Sequence, residues 1–423
     1  MGNIVEDRRV RVAFETLGCK LNQAETELMC RQLAEAGCEI VTQDEEADIY
    51  LLNTCTVTHI ADRKSRHLLR LIKRKHPEAK IIAIGCYAQR ASNELSEIEG
   101  VNLVIGNTEK EDLVQILERS GFLRPIKPLL DTLPNTRTRS FIKIQDGCNN
   151  FCAYCIVPIV RGREKSISPD QISREINLRF ADGYKEVVLT GTEIGKYEYD
   201  DLKLNGLIKR VLNETQIQRL RLSSLQPQEI SPDLLDLWQD PRLCAHFHLS
   251  LQSGSDYILS KMNRCYNTKS YRDAVNQIRT RIENVAITTD VIVGFPGETG
   301  KEFQRSYDFC REIEFARIHV FSYSNRENTT AAVMPEQLEA SVKKERSDKM
   351  LDLAETSQTN FQRRFIGEIQ LVLFEQSTKG ICSGVTANYI KVYTKSSHDL
   401  TNNVVPIKLI QIGRNGMWGE LVE

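Results

Sequence analysis

Gly147-Cys148-Asn149-Asn150-Phe151-Cys152-Ala153-Tyr154-Cys155 decides how this chain is read. Three cysteines at C-x3-C-x2-C spacing follow directly on an apolar stretch, residues 141–145, that reads as a strand. Three closely spaced thiolates can hold three irons of a [4Fe–4S] cube. No fourth cysteine lies nearby, so the spacing leaves the fourth iron open to a small molecule. Structural zinc prefers paired C-x2-C arms and four closed ligands, and neither is offered here. Tyr154, just before the last cysteine, is placed to pack over an adenine in such a molecule.

Working outward, apolar strands alternate with helical stretches on both sides of this loop. On the amino-terminal side, residues 10–16, 48–53, 81–85 and 103–106 read as strands, separated by helical patterns at 22–36, 58–75 and 89–97. Such alternation predicts a parallel sheet covered by helices. On the carboxyl-terminal side, six strands at 141–145, 186–190, 219–223, 247–251, 286–293 and 318–321 alternate with helices, which predicts a partial or complete βα barrel. A long polar helix at 335–364 closes it. Between these blocks Pro125, Pro128 and Pro134 mark a linker. From Gly367 the period changes, and five short strands at 369–374, 380–386, 389–394, 404–412 and 416–421 predict a small all-β barrel of oligonucleotide-binding size. The expected domains are residues 8–125, 134–365 and 366–423.

At 423 residues and a net charge of −1, the chain has no global field to draw in nucleic acid, so any polyanion must be met by local patches. No apolar run approaches the roughly 18 residues of a membrane span. The charged stretch Met1 to Val10 does not resemble a signal peptide, and a cytoplasmic location without membrane attachment is expected. Twelve cysteines in such a protein point to metal or redox chemistry before a disulfide framework.

Three more cysteines carry a pattern. Cys19, Cys55 and Cys86 each stand just past an expected strand of the first block, and in a parallel sheet those ends share one edge. They can therefore converge as a second trio with an open iron. Gly18 and Gly85 precede two of them, and glycine allows close backbone approach. Cys30, Cys38, Cys244, Cys265, Cys310 and Cys382 lack partners at ligand spacing and read as core or surface thiols.

The C-x3-C-x-aromatic-C loop after the first strand of a βα barrel resembles the radical S-adenosylmethionine superfamily. With the three-cysteine domain before it and the small β domain after it, the chain resembles the methylthiotransferases over nearly its whole length. The stretches Thr16-Leu17-Gly18-Cys19-Lys20-Leu21-Asn22-Gln23, Asn53-Thr54-Cys55-Thr56-Val57-Thr58 and Gly85-Cys86-Tyr87-Ala88-Gln89 are similar to the branch acting on threonylcarbamoyladenosine in tRNA. Leu189-Thr190-Gly191-Thr192-Glu193-Ile194-Gly195 favours that branch too.

The resemblance implies two [4Fe–4S] clusters, the radical-generating one on Cys148, Cys152 and Cys155 and the auxiliary one on Cys19, Cys55 and Cys86. It implies that S-adenosylmethionine serves twice, once as methyl donor and once as source of a 5′-deoxyadenosyl radical that opens C2–H of the adenine beside the anticodon. Gly191 and Glu193 would meet the methionine amino group, although Thr192 stands where the family pattern has a second glycine. Ser250 and Gln252 would face the ribose, while Ile292 and Gly294 would support adenine beside Tyr154. An electron donor of flavodoxin or ferredoxin type and a sulfur source are implied as partners. Sister enzymes acting on isopentenyladenosine or on a ribosomal-protein aspartate share every ligand, and an electron carrier or RNA-binding scaffold is the non-enzymatic alternative.

Two patches suit RNA. Tyr389, Lys391, Tyr393 and Lys395 alternate with Ile390, Val392 and Thr394, which puts rings and ammonium groups on one face. That segment lies in the domain resembling the RNA-binding TRAM module. The helix beyond Cys55 carries Arg63, Lys64, Arg66, Arg70, Lys73, Arg74 and Lys75 and could meet phosphates. Arg161 and Arg163, just past the core cysteines, could pair with phosphate or carboxylate.

Overall fold

The structure is a computed structural model, and it describes residues 8–123 and 138–422. Pro125, Pro128 and Pro134 lie outside the described residues. The rest falls into two compact units. One takes in the residues up to 123 together with Gly147–Asn149 and Cys155–Glu164, and the other takes in the remainder.

In the first unit, five parallel strands lie in the order Glu39–Val41, Arg11–Thr16, Ile49–Thr54, Lys80–Gly85 and Val101–Ile105. Ile49–Thr54 is buried at every position and Lys80–Gly85 at all but its first. Central parallel strands are covered on both faces, which explains why these read as continuous apolar runs. The chain reverses its lateral direction at Arg11–Thr16, and ligands of open α/β sheets bind beside such a reversal, past the carboxyl ends of the strands. Sequence reading missed Glu39–Val41, which is too short to show a period. It also merged two short helices, Cys86–Arg90 and Ser92–Ser96, and started them late.

In the second unit, Arg139–Lys143, Glu186–Thr190 and Arg219–Leu222 pair in parallel, as do Ser224–Leu225, His246–Leu249, Ala286–Val293 and Arg317–Ser322. Arg219–Leu222 and Ser224–Leu225 form one strand interrupted at Ser223. Six parallel strands thus follow one another in chain order, a partial βα barrel. The helix Ala340–Arg363 packs along it through Met350, Leu353 and Ala354. Ile369–Thr378, Ile381–Thr386, Lys391–Lys395, Gly416–Leu421 and Val404–Gly413 then close into a small barrel.

The small barrel is fastened to the first residues of the large barrel's strands. Glu186 is fully buried between Arg221, whose Nε donates at 2.8 Å, and Arg219 at 3.0 Å. Arg221 Nη1 also donates to the Ala387 carbonyl at 2.9 Å, and Arg219 Nη1 to that of Val385 at 3.1 Å. Burial opposes the charge on Glu186, but the arginines outweigh it and hold the carboxyl down at about 2.

Tyr389 completes this seam, and here the sequence expectation is corrected. Its ring stacks on His246 at 4.8 Å and lies under the Arg221 guanidinium at 4.5 Å, while its hydroxyl accepts from Arg139 at 2.9 Å. A left-handed backbone (φ +68°) takes it out of the alternation that begins at Lys391. Tyr389 is therefore a joint between the barrels and not an RNA platform.

Candidate functional site

Cys19 caps the helix Lys20–Glu35, Cys55 follows Thr54, and Cys86 opens the helix after Gly85. All three stand at the carboxyl edge of adjacent strands. A Cβ placed on Gly18 would come 2.9 Å from Cys55 Sγ, and one on Gly85 would come 2.5 Å from Asn53 Oδ1. Both glycines have φ near +106°, a region that side chains resist. They leave room at the thiols that no other residue would leave.

Side-chain amides frame these thiols. Cys19 Sγ donates to Asn22 Oδ1 at 3.8 Å, and Asn107 Nδ2 donates to Cys86 Sγ at 3.4 Å. Asn22 is itself fixed by donating to the Leu17 and Thr54 carbonyls. Asn107 Oδ1 is buried without a partner. Burial, helped by the nearby Cys19 and Cys86 thiols, pushes Cys55 up to about 12, so only a bound cation would keep it a thiolate near neutrality. Thiol donors, amide neighbours and glycine clearance fit an iron–sulfur cluster. Among the described residues no three Cys, His, Asp or Glu side chains are close enough to share a single ion. Thiolates on a cube of irons stand further apart than ligands of one ion.

Arg161 is corrected as a phosphate contact. Its side chain is 3% exposed and donates to Glu25 Oε1 at 2.8 Å and to Asn22 Oδ1 at 2.7 Å. Lys110 reaches the same carboxylate at 2.5 Å. Asn22 Oδ1 thus joins the Arg161 guanidinium to the Cys19 thiol. Sequence reading missed Asn22, Glu25 and Lys110, although Asn22 and Glu25 lie three and six residues past Cys19 on one helix.

On the core loop, Cys148 donates its backbone N–H to Gly162 O at 3.1 Å. A Cβ on Gly147 would collide with Arg163 O at 1.9 Å, so only glycine permits this turn. Ile156 and Val160, past Cys155, pack with Cys86. In the second unit, Cys152 Sγ accepts from Arg264 Nη1 at 3.0 Å, and Arg264 Nη2 donates to Gln226 Oε1 at 2.7 Å. Ala153 is pinned by Met262 O and by Ala331 N.

Glu193 is buried and accepts from Asn150 Nδ2 at 2.6 Å and from Gln226. The Gln145 carboxamide oxygen accepts from the backbone of Thr192 at 3.0 Å and Glu193 at 2.9 Å. A Cβ on Gly191 would meet Gln145 O at 2.7 Å, which explains why this glycine stands alone and Thr192 is tolerated next to it. Glu229 lies close by; burial chiefly, with the Glu193 charge adding, raises its carboxyl to about 7.

Tyr154 packs with Ile292 and meets Phe295 edge-on at 6.5 Å. Gly294 N donates to Glu298 at 2.5 Å, and Gln252 adopts φ +68° while bridging to Val291. Tyr266 hydroxyl donates to the Ser250 carbonyl at 2.7 Å. Glu193, Ser250, Gln252, Ile292 and Gly294 all lie at carboxyl ends of barrel strands. Arg264, Gln226 and Asn150 were missed; Asn150 at least lies inside the quoted loop.

Of the basic helix His59–Lys75, Arg63, Lys64, Arg70, Arg74 and Lys75 are exposed, while Arg66 is tied to Tyr87 and to Glu94 at 2.8 Å. Arg63 and Arg70 remain open to a ligand, and Arg66 does not. Arg163 is exposed. Lys391 is exposed, and Tyr393 pairs with Trp418 at 5.6 Å, a ring that sequence reading passed over.

A model described as the radical SAM superfamily matches residues 142–310, and one described as uncharacterized protein family UPF0004 matches residues 11–106. Threonylcarbamoyladenosine tRNA methylthiotransferase MtaB of Bacillus subtilis (strain 168) is 34% identical, covering 97% of this chain and 96% of that one. The chain belongs to the radical S-adenosylmethionine methylthiotransferase family. MtaB of Aquifex aeolicus is 37% identical over 90% of this methylthiotransferase and 96% of its own length. A tRNA-2-methylthio-N(6)-dimethylallyladenosine synthase of Endomicrobium trichonymphae is 31% identical over 97% and 99%. Among solved structures, the radical S-adenosylmethionine methyltransferase TsrM from Kitasatospora setae superposes with TM-score 0.57 at 14% identity, covering 77% of each chain, a likeness of fold. The methylthiotransferase is thus a radical enzyme of the transferase class.

Proposed function

We propose that this methylthiotransferase adds a methylthio group to C2 of N6-threonylcarbamoyladenosine beside the anticodon of tRNA, with two [4Fe–4S] clusters and two molecules of S-adenosylmethionine. The observation that carries the two-cluster reading is the gathering of Cys19, Cys55 and Cys86 on one sheet edge, apart in sequence from the Cys148, Cys152 and Cys155 loop. The substrate rests on the relatives named for threonylcarbamoyladenosine, at 34–37% identity, above those named for dimethylallyladenosine, at 31–32%.

The clusters and S-adenosylmethionine, when bound, supply a radical able to take hydrogen from an unactivated carbon and a site for sulfur. The chain's own groups do the rest. Arg264 donates to Cys152 and steadies its thiolate. Asn150 and Gln226 aim the Glu193 carboxylate, which would hold the methionine ammonium group. Ser250, Gln252 and the backbone at Gly191 would line the ribose and methionine side, while Tyr154, Ile292 and Gly294 would wall the adenine. Asn22 and Asn107 would hold the auxiliary thiols in register. Arg63, Arg70, Arg163, Lys391 and Tyr393 would meet the tRNA, over domains at residues 8–125, 134–365 and 366–423. Reduction would come from a flavodoxin- or ferredoxin-type donor, and sulfur from a separate source. Among the described residues no helix is long and apolar enough to cross a membrane.

Anaerobically reconstituted protein, incubated with reductant, S-adenosylmethionine and tRNA carrying each modified adenosine, tests this reading. A gain of one methylthio group on the threonylcarbamoyl form alone is expected. A gain only on the isopentenyl form moves the substrate to the sister enzyme's, and absence of 5′-deoxyadenosine from protein with intact clusters leaves an electron carrier or scaffold.

A further inference from the structure

The seam between the two barrels of the second unit also encloses a cavity of about 430 Å³. Small-ligand sites typically span about 300–1,000 Å³. The cavity touches Thr288 and Arg317, at the amino-terminal ends of their strands, whereas Ile292 and Gly294 lie at the other end. At about 3.3 Å per residue, the run from Thr288 to Val293 separates the two ends by roughly 17 Å. The cavity is therefore not part of the site that would hold S-adenosylmethionine.

Its lining has one sign of charge. Arg317, Lys391 and Arg414 border it and no carboxylate does. None of the three cations makes an ion pair among the described residues; elsewhere on this surface, arginines such as Arg272 and Arg311 are paired. Gln362 lines the same space, is 4% exposed, and its amide has no hydrogen-bond partner among the described residues. A buried amide without a partner costs free energy that a ligand can restore. Gln358 and Asn415 add further amides at the wall.

We propose that this cavity binds the phosphate of a nucleotide, with Arg317 and Arg414 holding phosphate oxygens and Gln362 hydrogen-bonding the attached sugar or base. Arginine forks match phosphate geometry, and unpaired cations around a concave polar space favour an anion with more than one acceptor oxygen. Lys391 continues the lining outward to the Tyr393 and Trp418 rings, on which a neighbouring base can stack. That continuity makes an RNA strand, with one phosphate in the cavity and a base on the rings, the favoured source; a free mononucleotide offers the same phosphate.

The test uses the full, anaerobically reconstituted chain, with R317A, R414A, the double variant and Q362E. Binding of labelled tRNA is measured across a salt series and binding of AMP by calorimetry. With RNA as the source, the double variant weakens tRNA binding about tenfold and its log–log salt slope falls by about two, one for each lost phosphate contact. Gln362→Glu, which puts a carboxylate against the phosphate, weakens it as well. 5′-Deoxyadenosine formation without tRNA and the melting temperature stay at wild-type values in R317A and R414A. AMP binding that is lost in the same variants, with tRNA affinity unchanged, assigns the cavity to a free nucleotide. If neither ligand responds to any of the four variants, the proposal is overturned.

Discussion

The two cysteine trios are built by opposite means. Cys148, Cys152 and Cys155 sit within one short loop, and the turn at Gly147 sets their backbone. Cys19, Cys55 and Cys86 are brought together by the order of strands in a sheet, with Gly18 and Gly85 clearing the space. A local trio depends on its own loop and tolerates change elsewhere. A topological trio depends on every strand that carries it, and on the side chains that lock the strand ends.

The sharpest way to break this comparison is to remove one ligand from each side. Cys152→Ala should reduce 5′-deoxyadenosine formation to background, measured by chromatography after incubation with S-adenosylmethionine. Cys55→Ala should keep that formation while product tRNA gains no sulfur by mass spectrometry. Equal loss of both activities in both variants would mean that the trios do not divide the work.

Backbone clearance sharpens the contrast next. Gly18→Val should lower iron from about eight to about four atoms per chain, while the core cluster remains visible by electron paramagnetic resonance after reduction. Glu25→Ala probes the lock behind the auxiliary trio. It strips Arg161 and Lys110, both buried, of their shared carboxylate. Breaking a buried pair from one side costs about 3–5 kcal/mol, to be read from denaturant melts. The auxiliary cluster should be lost at lower denaturant than the core cluster.

The barrel base sets a third, smaller effect. Glu186 is held at about 2 in the fold against an ordinary 4.5, so its charged pairing contributes stability above pH 4.5. That contribution drains away as pH falls through the window from 4.5 to 2, and is worth about 3 kcal/mol. Glu186→Gln should flatten the acid limb of the stability profile across that window. Smallest is Tyr393→Ala, which should weaken tRNA binding by about 1–3 kcal/mol with an unchanged melting temperature. Tyr389→Ala should do the reverse, lowering stability with little direct effect on RNA.

Much of this was legible in the sequence because periodicity reports burial. Ile49–Thr54 and Lys80–Gly85 announced themselves as covered strands, and Glu186–Thr190, Ala286–Val293 and Gly416–Leu421 were bounded to the residue. The strand ends carrying Cys19, Cys55 and Cys86 followed from the same signal. What stayed hidden were partnerships across long stretches of chain. Nothing near Arg161 in sequence tells that Glu25 will claim it, and Tyr389 reads as an exposed ring until Arg221 and His246 are folded beside it. Arg264 and Gln226 gave no local signal at all, because their value lies in what they touch.

The fastening of the small barrel also bears on how the chain is made. Arg139 waits for Tyr389, two hundred and fifty residues further on, and Arg221 waits for Ala387. Until the ribosome has delivered those residues, the charged floor of the large barrel faces water with its contacts incomplete. A chain released before Tyr389 should therefore be degraded as an unfinished fold, and would not persist as an active enzyme that merely holds RNA poorly.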